Sequence, residues 1–531
     1  MFTGKLYPYQ EEGLDAIVAR RRILVAYSMG TGKTVLTIAA LEQLLGDGAI
    51  RNALILAPAS VKWQWAMAIA QFTDVPQQVV RLRGTELVVG ADEACVVING
   101  SAARRAEQWE RVRQTGPDYV VASVSVVRND WEQLLQTPFD ALVLDEATVI
   151  KHFGAQVSKK IKCLKPPTRI ALSGTPAENR PEDVFSIMEW VDGNILGRWD
   201  LFDKSFIERN FFGAVKGYKN LDLMHNRLTK AMIRKSRLDP DVAKYLPDVV
   251  QVTRTVVLSA ATRKLYKRIL RDMSVALEEL AESGVTVDLA AYYAGLPTGD
   301  ERSAQGKVMA RILAARLLLD DPRLLMDSAE AYCEGKGAGS EYIADLVASL
   351  PSGIDLLGAP KLDELERQVV AMLDEPGTKV AVFTSYRRML PYLVERLGRH
   401  AECTTYHGEM NAEEKAVSKA HFDTDPDVRI FISTNAGGYG LDLPRAQYLI
   451  NFDLPDSRGV YDQRNTRHVR ASSTYTKVYV LNLIVEDSLE ERQEATLKVR
   501  GRVASAIVDG LGGGAIELDV ESLSEHLGRA I

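Results

Sequence analysis

Apolar residues in the first third of the chain come in short unbroken runs, at 23–26, 53–57, 94–98, 119–123, 141–144 and 170–173. Runs of this length, apolar on both alternating faces, suit strands buried on both sides of a parallel sheet. The stretches 35–45, 65–72 and 101–114 between them read as helices. Alternation of this kind argues for a sheet with helices on both faces. From about 181 to 246 the pattern turns mostly helical, aromatic-rich and basic, and from 255 to about 350 it is helical with glycine breaks at Gly284, Gly295 and Gly335. A second alternating stretch then supplies strands at 380–384, 403–406, 429–433, 448–451 and 478–484. The expected fold is α/β, two parallel-sheet lobes with helical insertions between and within them. The expected boundaries are 1–190 for the first lobe, 191–255 for a basic, helical connector, 256–355 for a helical insertion and 356–500 for the second lobe. Residues 501–531, with Gly510 and Gly512–Gly514, read as a loosely attached flexible tail.

Composition changes this picture little. The 531 residues are 46% apolar and 26% charged, as in an ordinary globular chain. Apolar runs stay far below the ~18 residues a membrane span needs, and the N-terminus carries no basic-then-apolar leader. Cys95, Cys163, Cys333 and Cys403 lie far apart with no CxxC pair, which argues against a structural zinc site or a disulfide framework. An intracellular, cytoplasmic and nucleoid-associated location is the expectation, with no membrane partner. The net charge of −6 argues against bulk attraction to nucleic acid. Two acid-free stretches say otherwise locally. One carries Lys151, Lys159, Lys160, Lys162, Lys165 and Arg169, the other Arg227, Lys230, Arg234, Lys235 and Arg237. Either can neutralise phosphates or form a solvated basic face.

The chemistry begins at Ala26-Tyr27-Ser28-Met29-Gly30-Thr31-Gly32-Lys33-Thr34, between an apolar strand and a helix. Backbone N–H groups of Gly30, Thr31 and Gly32, with the open helix N-terminus, can cradle phosphates. Lys33 would reach the β- and γ-phosphates and the Thr34 hydroxyl would hold Mg2+. The strict pattern wants glycine where Tyr27 stands, and a glycine-rich turn is the plain alternative. Downstream, Leu142-Val143-Leu144-Asp145-Glu146 ends a buried strand in two carboxylates. Asp145 suits Mg2+ and Glu146 suits polarisation of the attacking water. A helix N-cap would also favour these residues.

At these residues the chain resembles the superfamily-two helicases. Asp-Glu-Ala-Thr at 145–148 stands where they carry Asp-Glu-Ala-Asp or Asp-Glu-Ala-His, and 26–34 is similar to their phosphate loop. Leu6 to Gly13 resembles their glutamine motif, which implies that Gln10 reads adenine. Leu172-Ser173-Gly174-Thr175-Pro176 resembles the motif coupling hydrolysis to nucleic-acid grip. Gln463 to Arg470 resembles the final helicase motif and implies that Arg467 and Arg470 act as arginine fingers. Thr434 to Asp442 resembles the preceding one, implying nucleotide contacts from Gly440 and Asp442. A salt-bridged helix face is the bland reading of the arginines.

Further features resemble the Swi/Snf-like double-stranded DNA translocase branch. They are the wide gap between Thr175 and Val380, Pro176-Ala177-Glu178-Asn179, Arg234-Lys235 followed by Leu246-Pro247, and Ala359 to Leu365. Leu56 to Ser60 with Trp65 resembles its first DNA-contact motif. The resemblance implies an ATP- and Mg2+-dependent, DNA-stimulated hydrolase with catalytic Lys33, Glu146, Arg467 and Arg470. It implies nucleic-acid contacts from Ser60, Lys62, Ser173, Thr175 and Thr434, and duplex or forked DNA as partner, with a protein partner for targeting. An ATP-gated clamp or motor subunit, and an RNA helicase, stay open. Thr148, Thr466 and Val469 depart from the family pattern. Trp65 reads as a core residue, and the insertion from 281 to 353 matches nothing in it.

Overall fold

A computed structural model describes residues 1–82, 85–211, 215–282, 299–335, 340–350, 354, 357–435, 441–470, 473–512, 514–517 and 523–530. Among the described residues, the first lobe is a seven-stranded sheet. Its strands are β1 (Arg22–Tyr27), β2 (Ala53–Ala57), β3 (Cys95–Val97), β4 (Tyr119–Ser123), β5 (Ala141–Leu144), β6 (Thr168–Leu172) and β7 (Met232–Lys235). They lie in the order β7-β1-β6-β5-β2-β4-β3, every neighbouring pair parallel. Helices cover both faces, so the strands need no polar side. Along β1, Ile23 and Val25 join one core with Leu36 and Trp65, while Leu24 and Ala26 join the other with Leu142 and Trp190. The helices that matter below are α1 (Pro8–Arg20), α2 (Lys33–Gly46), α3 (Lys62–Phe72) and α4 (Pro181–Asp192).

The second lobe holds β8 (Asp248–Val256), β9 (Val380–Thr384), β10 (Glu402–Tyr406), β11 (Val428–Thr434), β12 (Tyr448–Asn451) and β13 (Lys477–Val485). The order is β8-β13-β12-β9-β11-β10, again parallel throughout. The expected two-lobe α/β fold is what the chain adopts. From the insertion, α5 (Ala260–Glu282) and α6 (Gly299–Asp320) bury Ile269, Met273 and Leu318 in one core with Leu362 and Val382. An internal ion cluster anchors it. Lys361, at the start of α7 (Pro360–Leu373), is fully buried and donates to Asp320 Oδ1 at 2.8 Å and to Glu490. Unpaired, any of these charges would be very costly to bury.

Two expectations need correction. The stretch read as a helical connector contains an edge strand of each sheet. β7 pairs with β1, and β8 pairs with β13 along its whole length. The chain therefore leaves the first sheet at Lys235 and enters the second at Asp248. The supposed tail is also firmly attached. After α8 (Arg458–Asn465), the long helix α9 (Leu489–Val508) runs straight through Gly501. Its first half buries Leu489 and Leu497 in the second lobe. Its last turns bury Val503, Ala506, Ile507 and Val508 against Met224 and Leu228 of the first lobe. Ile516–Glu517 then pairs with Val215–Tyr218. No helix among the described residues is long and apolar enough to cross a membrane.

Candidate active site

The phosphate loop turns out of β1 through two left-handed glycines, Gly30 (φ 80°) and Gly32 (φ 79°), a conformation a side chain would strain. Neither has room for one. A β-carbon on Gly30 would lie 2.7 Å from the Val469 carbonyl and 3.0 Å from the Arg470 guanidinium, both from the other lobe. Thr31 is buried and its Oγ1 donates to Ser28 O at 2.7 Å, tightening the loop. Lys33 opens α2, and its Nζ donates to Tyr27 O at 2.9 Å and Ser28 O at 3.3 Å. Burial brings its ammonium down to about 8, against the pull of Glu146 and Asp145. Thr34 follows on the same first turn. Gln10 is buried against this loop. Its Nε2 donates to Thr31 O at 3.0 Å and its Oε1 accepts from Tyr7 N at 2.9 Å. One amide hydrogen and one lone pair remain for a base.

β5 delivers the carboxylates. Asp145 is held by two donors: Trp65 Nε1 reaches Oδ2 at 2.8 Å and Glu146 N reaches Oδ1 at 3.0 Å. Trp65 is the core residue the sequence suggests, fully buried on α3, yet its indole N–H is spent on this carboxylate. Glu146 takes a left-handed backbone (φ 50°, ψ 60°), a strained conformation for a non-glycine residue. Burial, with Asp145 beside it, pushes its carboxyl up to about 7. Among the described residues its Oε2 is buried without a hydrogen-bond partner. An orphaned carboxylate oxygen within the field of Lys33 needs a ligand proton or water.

The second lobe brings three arginines from α8 and the turn after it. Arg467 is buried, donates to Leu441 O at 2.9 Å, and is brought down to about 10 by burial with Arg470 adding to it. The Glu146 charge acts on it across the cleft. Arg470 lies against Gly30 and is gripped by Asp442 at 2.5 Å. Arg470 thus lies on the phosphate loop, and Arg467 is buried within the field of Glu146. Asp442, expected on the nucleotide, pairs with Arg470. Gly440 lies outside the described residues. Arg464 escaped the sequence reading although it continues the same three-residue spacing. It locks the loop ends together by donating to Asn435 Oδ1 at 2.5 Å, Asp453 O at 2.7 Å and Ser385 Oγ at 2.9 Å. Thr466, one of the departures, donates to Asp462 O at 2.8 Å and sets its hydroxyl oxygen 3.3 Å from Met29 Sδ of the phosphate loop.

The expected nucleic-acid contacts fare differently. Ser60 is exposed at the tip before α3. Lys62 points inward instead, donating to Asn99 Oδ1 at 2.5 Å and Ile98 O at 3.3 Å, and burial brings it down to about 8. Ser173 and Thr434 are buried at strand ends, and Ser173 Oγ accepts from Thr175 N at 3.2 Å. Thr175 Oγ1 is buried with no partner among the described residues. The strand ends are covered because Met29 packs on Gly174 and the second lobe packs on Met29. The basic runs are also partly spent internally. Lys151 pairs with Glu178, Lys162 with Glu189, Arg169 bonds Val191 O, and Arg234 bonds Asp509.

Two parallel-sheet lobes that meet over a phosphate loop, one offering lysine and carboxylates and the other arginines, define a bilobal P-loop architecture. The chain belongs to the SNF2-related domain family, whose model matches residues 9–295; a model of the helicase conserved C-terminal domain matches residues 360–472. A putative ATP-dependent helicase/translocase of Bacillus subtilis (strain 168), YwqA, is 24% identical over 519 residues, covering 96% of this chain and 49% of that protein. The chain therefore spans about half the length of that relative. The DNA repair and recombination protein RAD54-like of Gallus gallus is 23% identical over 531 residues, covering 95% of this chain and 68% of its own. The Hef helicase domain of Pyrococcus furiosus shares the fold at a TM-score of 0.51 and 17% identity, covering 92% of this chain and 98% of that one.

Proposed function

We propose that this chain is an ATP-driven DNA translocase or helicase, acting on duplex or forked DNA within the cell. The observation that carries the reading is the approach of Arg470 to Gly30 across the cleft, with Arg467 buried beside it within the field of Glu146. A triphosphate seated on the loop would be touched by both lobes at once. Lys33 would neutralise its terminal phosphates, Glu146 would accept a proton from the attacking water, and Arg467 and Arg470 would steady the charge on the γ-phosphate. Thr34 and Asp145 fit a Mg2+ ion, two protein ligands being the usual share when phosphates and water supply the rest. When bound, that ion neutralises charge on the phosphate oxygens. Loss of the γ-phosphate would release the bridge, so turnover would open and close the lobes. Relatives named as a helicase/translocase and as a DNA repair protein support nucleic acid as the track.

The test is ATP hydrolysis without nucleic acid and with single-stranded DNA, duplex DNA, forked DNA or RNA. Duplex or forked DNA should raise turnover most, and Lys33→Ala should abolish it. Grip through phosphates should weaken steeply with salt and vary little with sequence. Turnover that is indifferent to every nucleic acid and equal in the Lys33→Ala variant would end the reading. Strongest stimulation by RNA would reassign the track.

A further inference from the structure

The helix α8, which carries Arg464 and leads into Arg467 and Arg470, is held by the first lobe at both ends. Past its far end Thr466 touches Met29 and Arg470 lies on Gly30. At its near end Ser457, in the N-cap position, makes no side-chain cap. The missing acceptor comes from the other lobe, where Asn179 Oδ1 accepts from Arg458 N at 3.3 Å. Beside it the Glu178 carboxylate lies flat on Gly459, so closely that a β-carbon there would collide with its carboxyl group. Asn179 is itself fixed, its N–H donating to Asp183 Oδ2 at 2.9 Å.

Glu178 also reaches back to the carboxylate box. It is 3% exposed and pairs with Lys151, and the Thr148 side chain favours its charged form. Thr148 sits two residues beyond Glu146, and the Glu178 charge acts on Glu146 itself. Burial raises the Glu178 carboxyl above its ordinary range, while Lys151 and Thr148 pull it down. The residue that departs from the family's Asp or His thus still has a carboxylate partner. That partner joins the segment of the box to the helix that leads into the arginines.

Resting on the ATPase reading above, we infer that Glu178 and Asn179 are positioning residues that form the seat for the arginine helix. They transmit the geometry of the carboxylate box through Thr148–Glu178–Gly459 to Arg467 and Arg470. The seat forms only when the lobes are closed, so it is made and broken once per cycle. Neither residue belongs to the phosphate loop or to the carboxylate box. Its loss should therefore misplace the arginines and leave nucleotide affinity nearly intact.

The experiment compares the intact chain with Glu178→Ala, Asn179→Ala, Gly459→Ala and the Glu178→Ala/Gly459→Ala pair. Three quantities are read: kcat for ATP with saturating duplex DNA, affinity for a fluorescent ATP analogue, and closure by energy transfer between dyes on the two lobes. Gly459→Ala and Glu178→Ala should each lower kcat about tenfold to hundredfold, the effect of misplacing a catalytic group by about 1 Å. Analogue affinity should stay within about threefold, and the closed fraction should fall. The pair should be no worse than Glu178→Ala alone, because removing the carboxylate removes the collision. Coupling of that kind marks a direct contact. Losses that multiply in the pair, or closure unchanged in every variant, overturn the seat. If the intact chain hydrolyses nothing but its closure still depends on Glu178 and Gly459, the seat stands and the ATPase reading fails. If hydrolysis requires Lys33 but ignores Glu178, the reverse holds.

Discussion

Glu146 and Lys33 lie within each other's field at the phosphate site with their proton affinities drawn together, the carboxyl up to about 7 and the ammonium down to about 8. Glu146 must be deprotonated to act as a base and Lys33 protonated to bind phosphate. The pH profile of kcat/KM, which reports the free enzyme, should then rise through about 7 and fall above about 8. A flat profile from pH 6 to 9 would remove both groups from the chemistry. Trp65 offers a second test at this scale. Trp65→Phe keeps a buried ring but deletes the donor to Asp145 Oδ2. The Mg2+ concentration for half-maximal turnover should rise about tenfold to hundredfold, as when a ligand's outer partner is lost. An unchanged Mg2+ titration would leave Trp65 as packing alone. The loop and the carboxylates were legible in the sequence because their chemistry is local to a few residues. The indole's second duty was not, since α3 and β5 meet only in the fold. Lys62 shows the converse, a surface-type residue whose partner, Asn99, comes from the segment after β3.

At the scale of elements, unbroken apolar runs made the buried strands readable. β7 and β8 were missed for opposite reasons. β7, Met-Ile-Arg-Lys, has two cations in four residues because Arg234 and Lys235 are paired with Asp509, Glu12 and Asp241. β8 is an exposed edge strand without a buried face to give a clean alternation. The end of α9 was masked by Gly501, which reads as a breaker but lies in mid-helix against Arg458. Deleting everything after Arg500 should expose the first-lobe surface now covered by Val503 and Ile507. Two such side chains are worth about 3–6 kcal/mol of burial. The midpoint of thermal unfolding should drop by roughly 3–5 °C. An unshifted midpoint would return the segment to the status of a tail.

At the scale of the whole molecule, neither lobe is complete. The first has the loop and the carboxylates, the second the arginines, and the cleft closes only if both fold and meet. Arg467→Ala should therefore bind an ATP analogue within a few-fold of the intact chain while turnover falls roughly 10³-fold. Equal losses in binding and turnover would make Arg467 a simple ligand contact. The paired parallel sheets were readable from rhythm alone. The closeness of their meeting was not, because it depends on Met29, Thr466, Glu178 and Gly459, four residues with no shared local pattern.

The backbone spans the cleft twice, once at 236–247 and again along α9. A door hung on two pins swings about the single line through them. Opening in this molecule is steered the same way, so each closing returns the arginines to the same phosphate. A protease nick within 236–247 should accordingly leave the halves travelling as one particle in size-exclusion chromatography. Only a second cut, in α9, should let them part.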